Sequence, residues 1–182
     1  MITAEEQQLI YKLLTNKIDL DKFYSEYSID LRQSIDYFYL NLLDSIAREN
    51  VEQVEVSLDI IEYLYDEEYI NKNIDKVYKQ LIDKIWVPYY LLERILDSLE
   101  VCKGNIKYYL KILHINKFQE QDTENIETFM VPIWKKCLWN LYKVGINNEI
   151  LGILKQYFDS PYEELNNTAK TLIQKTEFNP LQ

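Results

Sequence analysis

Apolar residues recur along this chain at helical spacing. Leu9, Ile10, Leu13 and Leu14 form one stripe, of the kind an amphipathic helix turns toward a core. Leu31, Ile35, Phe38, Tyr39, Leu42, Leu43 and Ile46 form a second, and Val54, Leu58, Ile61 and Tyr65 a third. Further sets are Ile74, Val77, Tyr78, Leu81, Ile82 and Ile85; Leu92, Ile95, Leu96 and Leu99; Ile106, Tyr109, Leu110 and Leu113; and Leu165, Ala169, Leu172 and Ile173. Trp134, Cys137, Leu138 and Trp139 read as core, as do Tyr39, Tyr65 and Tyr78.

Start and stop signals frame these stripes. Thr3 and Glu6 make a capping box, and Asn50 with Gln53 makes a similar start. A short helix is expected near Leu20–Tyr27, and Ser28 or Asp30 is expected to cap the next. Asn73, Asn105 and Asn147 are further cap candidates. Pro88 is expected to open a helix, Pro132 to bend the helix over roughly Ile126–Val144, and Gly145 to end it. Ser160, Pro161 and Glu163 together mark the last start. Residues 116–125 read as a loop.

The pattern predicts an all-α chain of about ten helices. Val87-Pro88 and Val131-Pro132 lie 44 residues apart, each before an apolar-periodic segment. Two-helix HEAT or armadillo units have periods of about 40–47 residues. The expected architecture is therefore antiparallel helix pairs stacked as a short HEAT-like α-solenoid. The competing arrangement is an irregular bundle with coincidental spacing. The length of 182 residues fits a single helical domain, 1–182.

Composition sharpens the reading. Three Gly and four Pro leave few turn residues for a β protein of this size. One His and two Cys cannot supply a His/Cys zinc set or a disulfide framework, so no cofactor or metal is expected. Two separated Cys, the lack of a signal-peptide pattern and the lack of a long apolar run point to a cytoplasmic protein away from membranes. His114 reads as a helix-end or partly buried residue. A pairing of His114 with Cys102 or Cys137 is geometrically conceivable but has no supporting motif. No phosphate-binding glycine loop or nucleophile elbow occurs, and no carboxylate pair stands out for hydrolysis.

The net charge is -10, which argues against direct nucleic-acid binding. It is unevenly spread. Residues 1–70 hold 16 acidic and five basic side chains, so the whole excess lies there, and residues 71–182 are near neutral. Glu52, Glu55, Asp59, Glu62 and Asp66 step by three and four along one helix face. Like charges at that spacing destabilise a helix by about 0.2–0.5 kcal/mol per pair, so an unmixed acidic stripe invites a functional reading. Glu93 and Asp97 repeat the theme on a later helix. In a solenoid the two faces would line one groove. The plainer reading is a pair of solvent faces in an acidic protein.

Tyrosine is the other unusual feature, with 16 copies. Tyr63, Tyr69, Tyr89 and Tyr90 lie beside or near the acidic positions, and Tyr is favoured at interface hot spots. AT-rich coding would also raise Tyr, together with Asn, Ile and Lys.

The acidic helix VEQVEVSLDIIEYLYDEEY (Val51–Tyr69) and the segment VPYYLLERILDSLE (Val87–Glu100), set in a small acidic helical chain, resemble the all-helical immunity proteins of bacterial polymorphic toxin systems. The resemblance is one of architecture. It implies a stoichiometric inhibitor, not an enzyme, that covers a cognate toxin, with a basic domain such as a nuclease as the expected partner. Glu52, Glu55, Asp59, Glu62, Asp66, Glu93 and Asp97 would face it, with Tyr63, Tyr69, Tyr89 and Tyr90 as anchors. The other readings are a HEAT-like adaptor for a cytosolic protein and, further off, an enzyme with converging acids.

Overall fold

The computed structural model describes residues 1–32, 34, 36–65, 67–84, 86–115 and 126–178. Among the described residues the chain is all-helical, with ten α-helices and no strand. It divides into two compact units, Met1–Val77 and Tyr78–Gln182. The expected residues Ile35, Asp66 and Ile85 and the loop at 116–125 lie outside the described residues.

The first unit holds α1 (Ala4–Leu14), α2 (Leu20–Glu26), α3 (Tyr37–Ala47), α4 (Val51–Leu64) and most of α5 (Glu67–Leu81). The Thr3–Glu6 box closes α1 as expected. The Glu6 N–H donates to Thr3 Oγ1 at 3.2 Å, and the Thr3 N–H donates to Glu6 Oε2 at 2.8 Å. Each bond satisfies a backbone donor that the helix start would otherwise leave open. Asn50 Oδ1 accepts from the Gln53 N–H at 3.1 Å and starts α4 in the same way.

Helix α1 packs on α2 and α4, and α3 packs on α4. Leu13, Phe23, Phe38, Leu42, Val54, Leu58, Ile60 and Ile61 are fully buried between them. Tyr27 meets Phe23 and Phe38 with ring centroids 5.2 and 5.6 Å apart, a tilted-to-edge geometry that suits the ring quadrupoles.

Three expectations shift here. Helix α3 begins at Tyr37, well after Ser28 and Asp30. Asp30 instead accepts from the Arg32 N–H two residues on, at 3.1 Å, and such a turn competes with helix initiation. Asn73 lies inside α5 and does not cap it. Its Nδ2 donates to the Tyr69 carbonyl one turn back, at 3.2 Å, so the polar side chain follows the helix that its type usually opens. Tyr39 and Tyr65, expected in the core, are only half-buried. The buried side of α3 takes Asn41 and Ser45 instead. Both are satisfied by carbonyls one turn back, at 2.8 and 2.7 Å.

The second unit holds α6 (Tyr89–Ser98), a 3-10 turn (Lys103–Asn105), α7 (Ile106–Leu113), α8 (Ile126–Val144), α9 (Asn148–Gln156) and α10 (Glu163–Phe178). Helix α8 is its centre and packs on α6, α7, α9 and α10. Met130, Val131, Ile133, Cys137, Leu138 and Leu141 of α8 are almost wholly enclosed. Trp134 Nε1 donates to the Ile112 carbonyl at 3.1 Å and ties α8 to α7. Pro132 lies inside α8 and is exposed. Its missing N–H removes one helical bond. Gly145 follows α8 with φ +118°, a region that disfavours side chains.

Asn147 caps α9 by accepting from the Ile150 N–H at 2.8 Å. Ser160 does not act as the N-cap of α10. Its Oγ accepts from the Tyr162 N–H at 3.2 Å, and the helix begins at Glu163. His114 is exposed at the end of α7, with Nδ1 2.6 Å from the Leu110 carbonyl.

Candidate functional site

In the first unit, burial on α4 covers Val54, Ser57, Leu58, Ile60 and Ile61. The acidic stripe runs along the edge of that buried arc. Glu52 and Glu62 are exposed, while Glu55 and Asp59 are half-buried. Glu52 accepts from Gln7 Nε2 of α1 at 2.7 Å. Glu55, Asp59 and Glu62 each take part in an interaction within the protein. Tyr63, next to Glu62 in the chain, is 44% exposed. The stripe thus mixes exposed with half-buried carboxylates, and Asp66 lies outside the described residues.

Tyr69 belongs to a different constellation. Its ring stacks on Tyr65 with centroids 4.3 Å apart and planes 18° from parallel. Its hydroxyl donates to Asp36 Oδ1 at 3.2 Å. Burial raises the Tyr65 phenol to about 12, and the nearby Tyr24 and Asp36 add to that. Burial, then the bond to Asp36 and the charge nearby, raise Tyr69 as well, with Tyr39 among its neighbours. Tyr24, Tyr39, Tyr65 and Tyr69 are all half-buried, and Asp36 is exposed. Arg32 stands 5.1 Å over the Tyr24 ring, close enough for a cation–π contact. These phenols come from α2, α3, the end of α4 and α5. Sequence reasoning found Tyr69 alone and assigned Tyr39 and Tyr65 to the core. The pair Tyr65 and Tyr69 is a local signal at i,i+4. Tyr24 and Asp36 carry none.

A second feature of this unit is the Glu6 carboxylate beneath a cleft of about 270 Å³, which Thr3, Glu5, Gln8, Lys12, Glu26 and Ser28 also line. Glu6 is itself buried. Burial pushes its carboxyl up, but hydrogen bonds from Ser28 and Thr3 and the N-terminal ammonium outweigh this and hold it below the ordinary value. Tyr27 is raised in turn, by burial and then by the Glu6 charge. The Ser28 hydroxyl and Thr3 backbone bonds make this carboxylate a structural tie between α1 and the segment after α2.

In the second unit the expected positions lie on α6. Tyr89 stacks on Phe129 of α8, with centroids 4.1 Å apart and planes 18° from parallel, and meets Tyr90 edge-on at 5.5 Å. Tyr89 therefore helps to seat α6 on α8. Tyr90 is 41% exposed. Asp97 forms an ion pair with Lys136 of α8. Glu93 is exposed. The structure thus places the expected residues in two sets, one in each unit.

Charge separates the units sharply. The first carries 17 acidic and seven basic side chains, net -10, and the second carries 13 of each. Among the described residues no group of three or more His, Cys, Asp or Glu is arranged to hold a metal ion, and no helix is long and apolar enough to cross a membrane. The two cysteines are free thiols, and burial raises that of Cys137. No protein-family model, curated protein or solved structure matches the chain.

Proposed function

We propose that the protein is a stoichiometric binding protein whose acidic first unit docks a basic protein partner, as an immunity protein does when it neutralises its cognate toxin. The observation that carries this reading is the confinement of the whole net charge of -10 to Met1–Val77. A field of one sign steers an oppositely charged partner and speeds encounter. Glu52 and Glu62 supply exposed charge on α4, and Tyr63 supplies an exposed ring beside them. Aromatic side chains of this kind dominate interface energetics where they become buried.

We propose further that the second unit stacks its helix pairs in a HEAT-like way. Helix α8 packs on α6 and α10, two helices before and after it, and on its neighbours α7 and α9. Stacked helix pairs make such neighbour-and-next-neighbour contacts.

The test is capture from lysate of the source organism with the tagged full chain, compared with an E52K/E62K variant of equal helicity. The expected result is one basic protein retained by the wild type, weakened at least tenfold by the double reversal, and toxic to cells unless this chain is co-expressed. Equal retention by the variant would remove α4 from the interface. Several exchangeable partners without toxicity would replace immunity with an adaptor role.

A further inference from the structure

The tyrosines around Asp36 have a chemistry that the acidic surface in general lacks. Tyr65 and Tyr69 stack at 4.3 Å to give a flat, rigid pair. The Tyr69 hydroxyl fixes Asp36 by a 3.2 Å hydrogen bond. A carboxylate has about four lone-pair sites, and this bond uses one. Tyr24 lies near enough to Tyr65, and Tyr39 to Tyr69, for their charges to be felt, and all four residues are half-buried. A guanidinium already uses one of these rings, since Arg32 lies over Tyr24 while contacting Asp21 at 3.4 Å.

We propose that the Tyr24–Tyr39–Tyr65–Tyr69 cluster with Asp36 is the anchor site for an arginine side chain of the protein partner. The inference rests on the basic-partner reading above and names where on the first unit that partner is gripped. The planar guanidinium is weakly hydrated, stacks on aromatic faces and offers a fork of N–H donors to a carboxylate. A lysine ammonium is more strongly hydrated and lacks the flat face. The net charge of -10 on this unit concentrates cations near the site. Tyr rings bury area at low entropic cost, because they have only two side-chain torsions.

The experiment titrates the full chain, with ring-labelled tyrosine, with hexa-arginine and with hexalysine at low salt. Ring resonances are followed by NMR and assigned through single Tyr→Phe variants. Hexa-arginine is expected to shift the Tyr65 and Tyr69 rings saturably and to bind at least threefold more tightly than hexalysine. The exposed substitution D36N is expected to weaken binding about fivefold, roughly the worth of one charged contact, with unchanged helicity. The control E49Q removes an equal charge from an exposed position of the same unit and is expected to change affinity less than twofold. Y65L serves as a second variant that removes the stack and keeps the charge, and it is expected to weaken hexa-arginine selectively.

Five results would overturn the anchor. Equal affinity for the two peptides would remove the guanidinium. Equal losses in D36N and E49Q would reduce the effect to general charge. An unchanged affinity in a folded Y65L would remove the stack. Shifts confined to Tyr63 would move the contact to α4 and leave the basic-partner reading standing. No saturable binding of either peptide would overturn both readings.

Discussion

The two compact units use the same kind of structure and opposite kinds of surface. Both are built from short helices whose apolar faces close on enclosed aromatic and aliphatic side chains. In the second unit the charges balance, and acids pair with bases far apart in sequence. Asp83 meets Lys111, Asp97 meets Lys136, and Glu164 meets Lys135. In the first unit, Arg48–Asp44 at 2.9 Å and Lys22–Glu26 at 3.7 Å join positions one helical turn apart, and Arg32–Asp21 at 3.4 Å ties α2 to the segment after it. Its seven bases cannot match 17 acids one to one. Excess charge of one sign works against compaction. Since the balanced unit folds on the same packing rules, the acidic excess is not a requirement of the fold. That difference is the physical reason for placing the partner on the first unit.

The sharpest way to break the comparison is to strike one core at a time. Phe38 is fully buried in the first unit and Trp134 is 8% exposed in the second. Each change to alanine is expected to cost about 3–5 kcal/mol. Hydrogen exchange on F38A is expected to show lost protection centred on α3 and α4, and W134A on α7 and α8. Uniform loss across the chain in both variants would make the division into units irrelevant to stability.

A middle-sized effect is expected at Glu6, where the acidic unit uses a charge structurally. Its carboxyl is held below the ordinary value in the folded state. Its contribution is therefore complete above the unfolded value of about 4.3 and is lost as pH falls through the lower folded one. E6Q is expected to cost about 1–3 kcal/mol at pH 7, as charged hydrogen bonds do, and to lose less stability than wild type between neutral pH and about pH 3. Denaturant unfolding at several pH values checks this. A wild-type and variant difference that stays constant with pH would count against it.

The smallest effect is expected at Asp97. Its pair with Lys136 is partly exposed, with side chains 39% and 53% accessible. Such pairs contribute about 0–1 kcal/mol. D97N is expected to lower stability by less than about 1 kcal/mol and to leave partner capture unchanged, whereas E52K/E62K in the first unit is expected to abolish most of it. A loss of capture in D97N would extend the interface to α6.

Most helices were legible in the sequence because their determinants are local. The 3.6-residue spacing of Leu9, Ile10 and Leu13 is enough to orient α1, and Thr3 with Glu6 is enough to start it. The same holds for Asn50 and Asn147. Local signals failed where another local bond competed. Asp30 closed a turn, Asn73 bonded one turn back, and Ser160 bonded Tyr162 two residues on. The candidate site was legible only in part. The acidic stripe on α4 is a matter of counting residues. Its mixture of exposed Glu52 and Glu62 with half-buried Glu55 and Asp59 depends on how α4 lies among its neighbours.

By itself, then, the sequence determined an all-helical chain, the caps of α1, α4 and α9, and a net charge held wholly in the first 70 residues. Spacing, capping chemistry and charge are properties of neighbours along the chain, so they can be read without a fold. Tertiary structure alone decided that Tyr89 would stack on Phe129, that Asp97 would meet Lys136, and that phenols from separate helices would converge near Asp36. Those contacts join residues tens of positions apart. Their partners are chosen by which apolar faces pack together, and no local pattern encodes that choice.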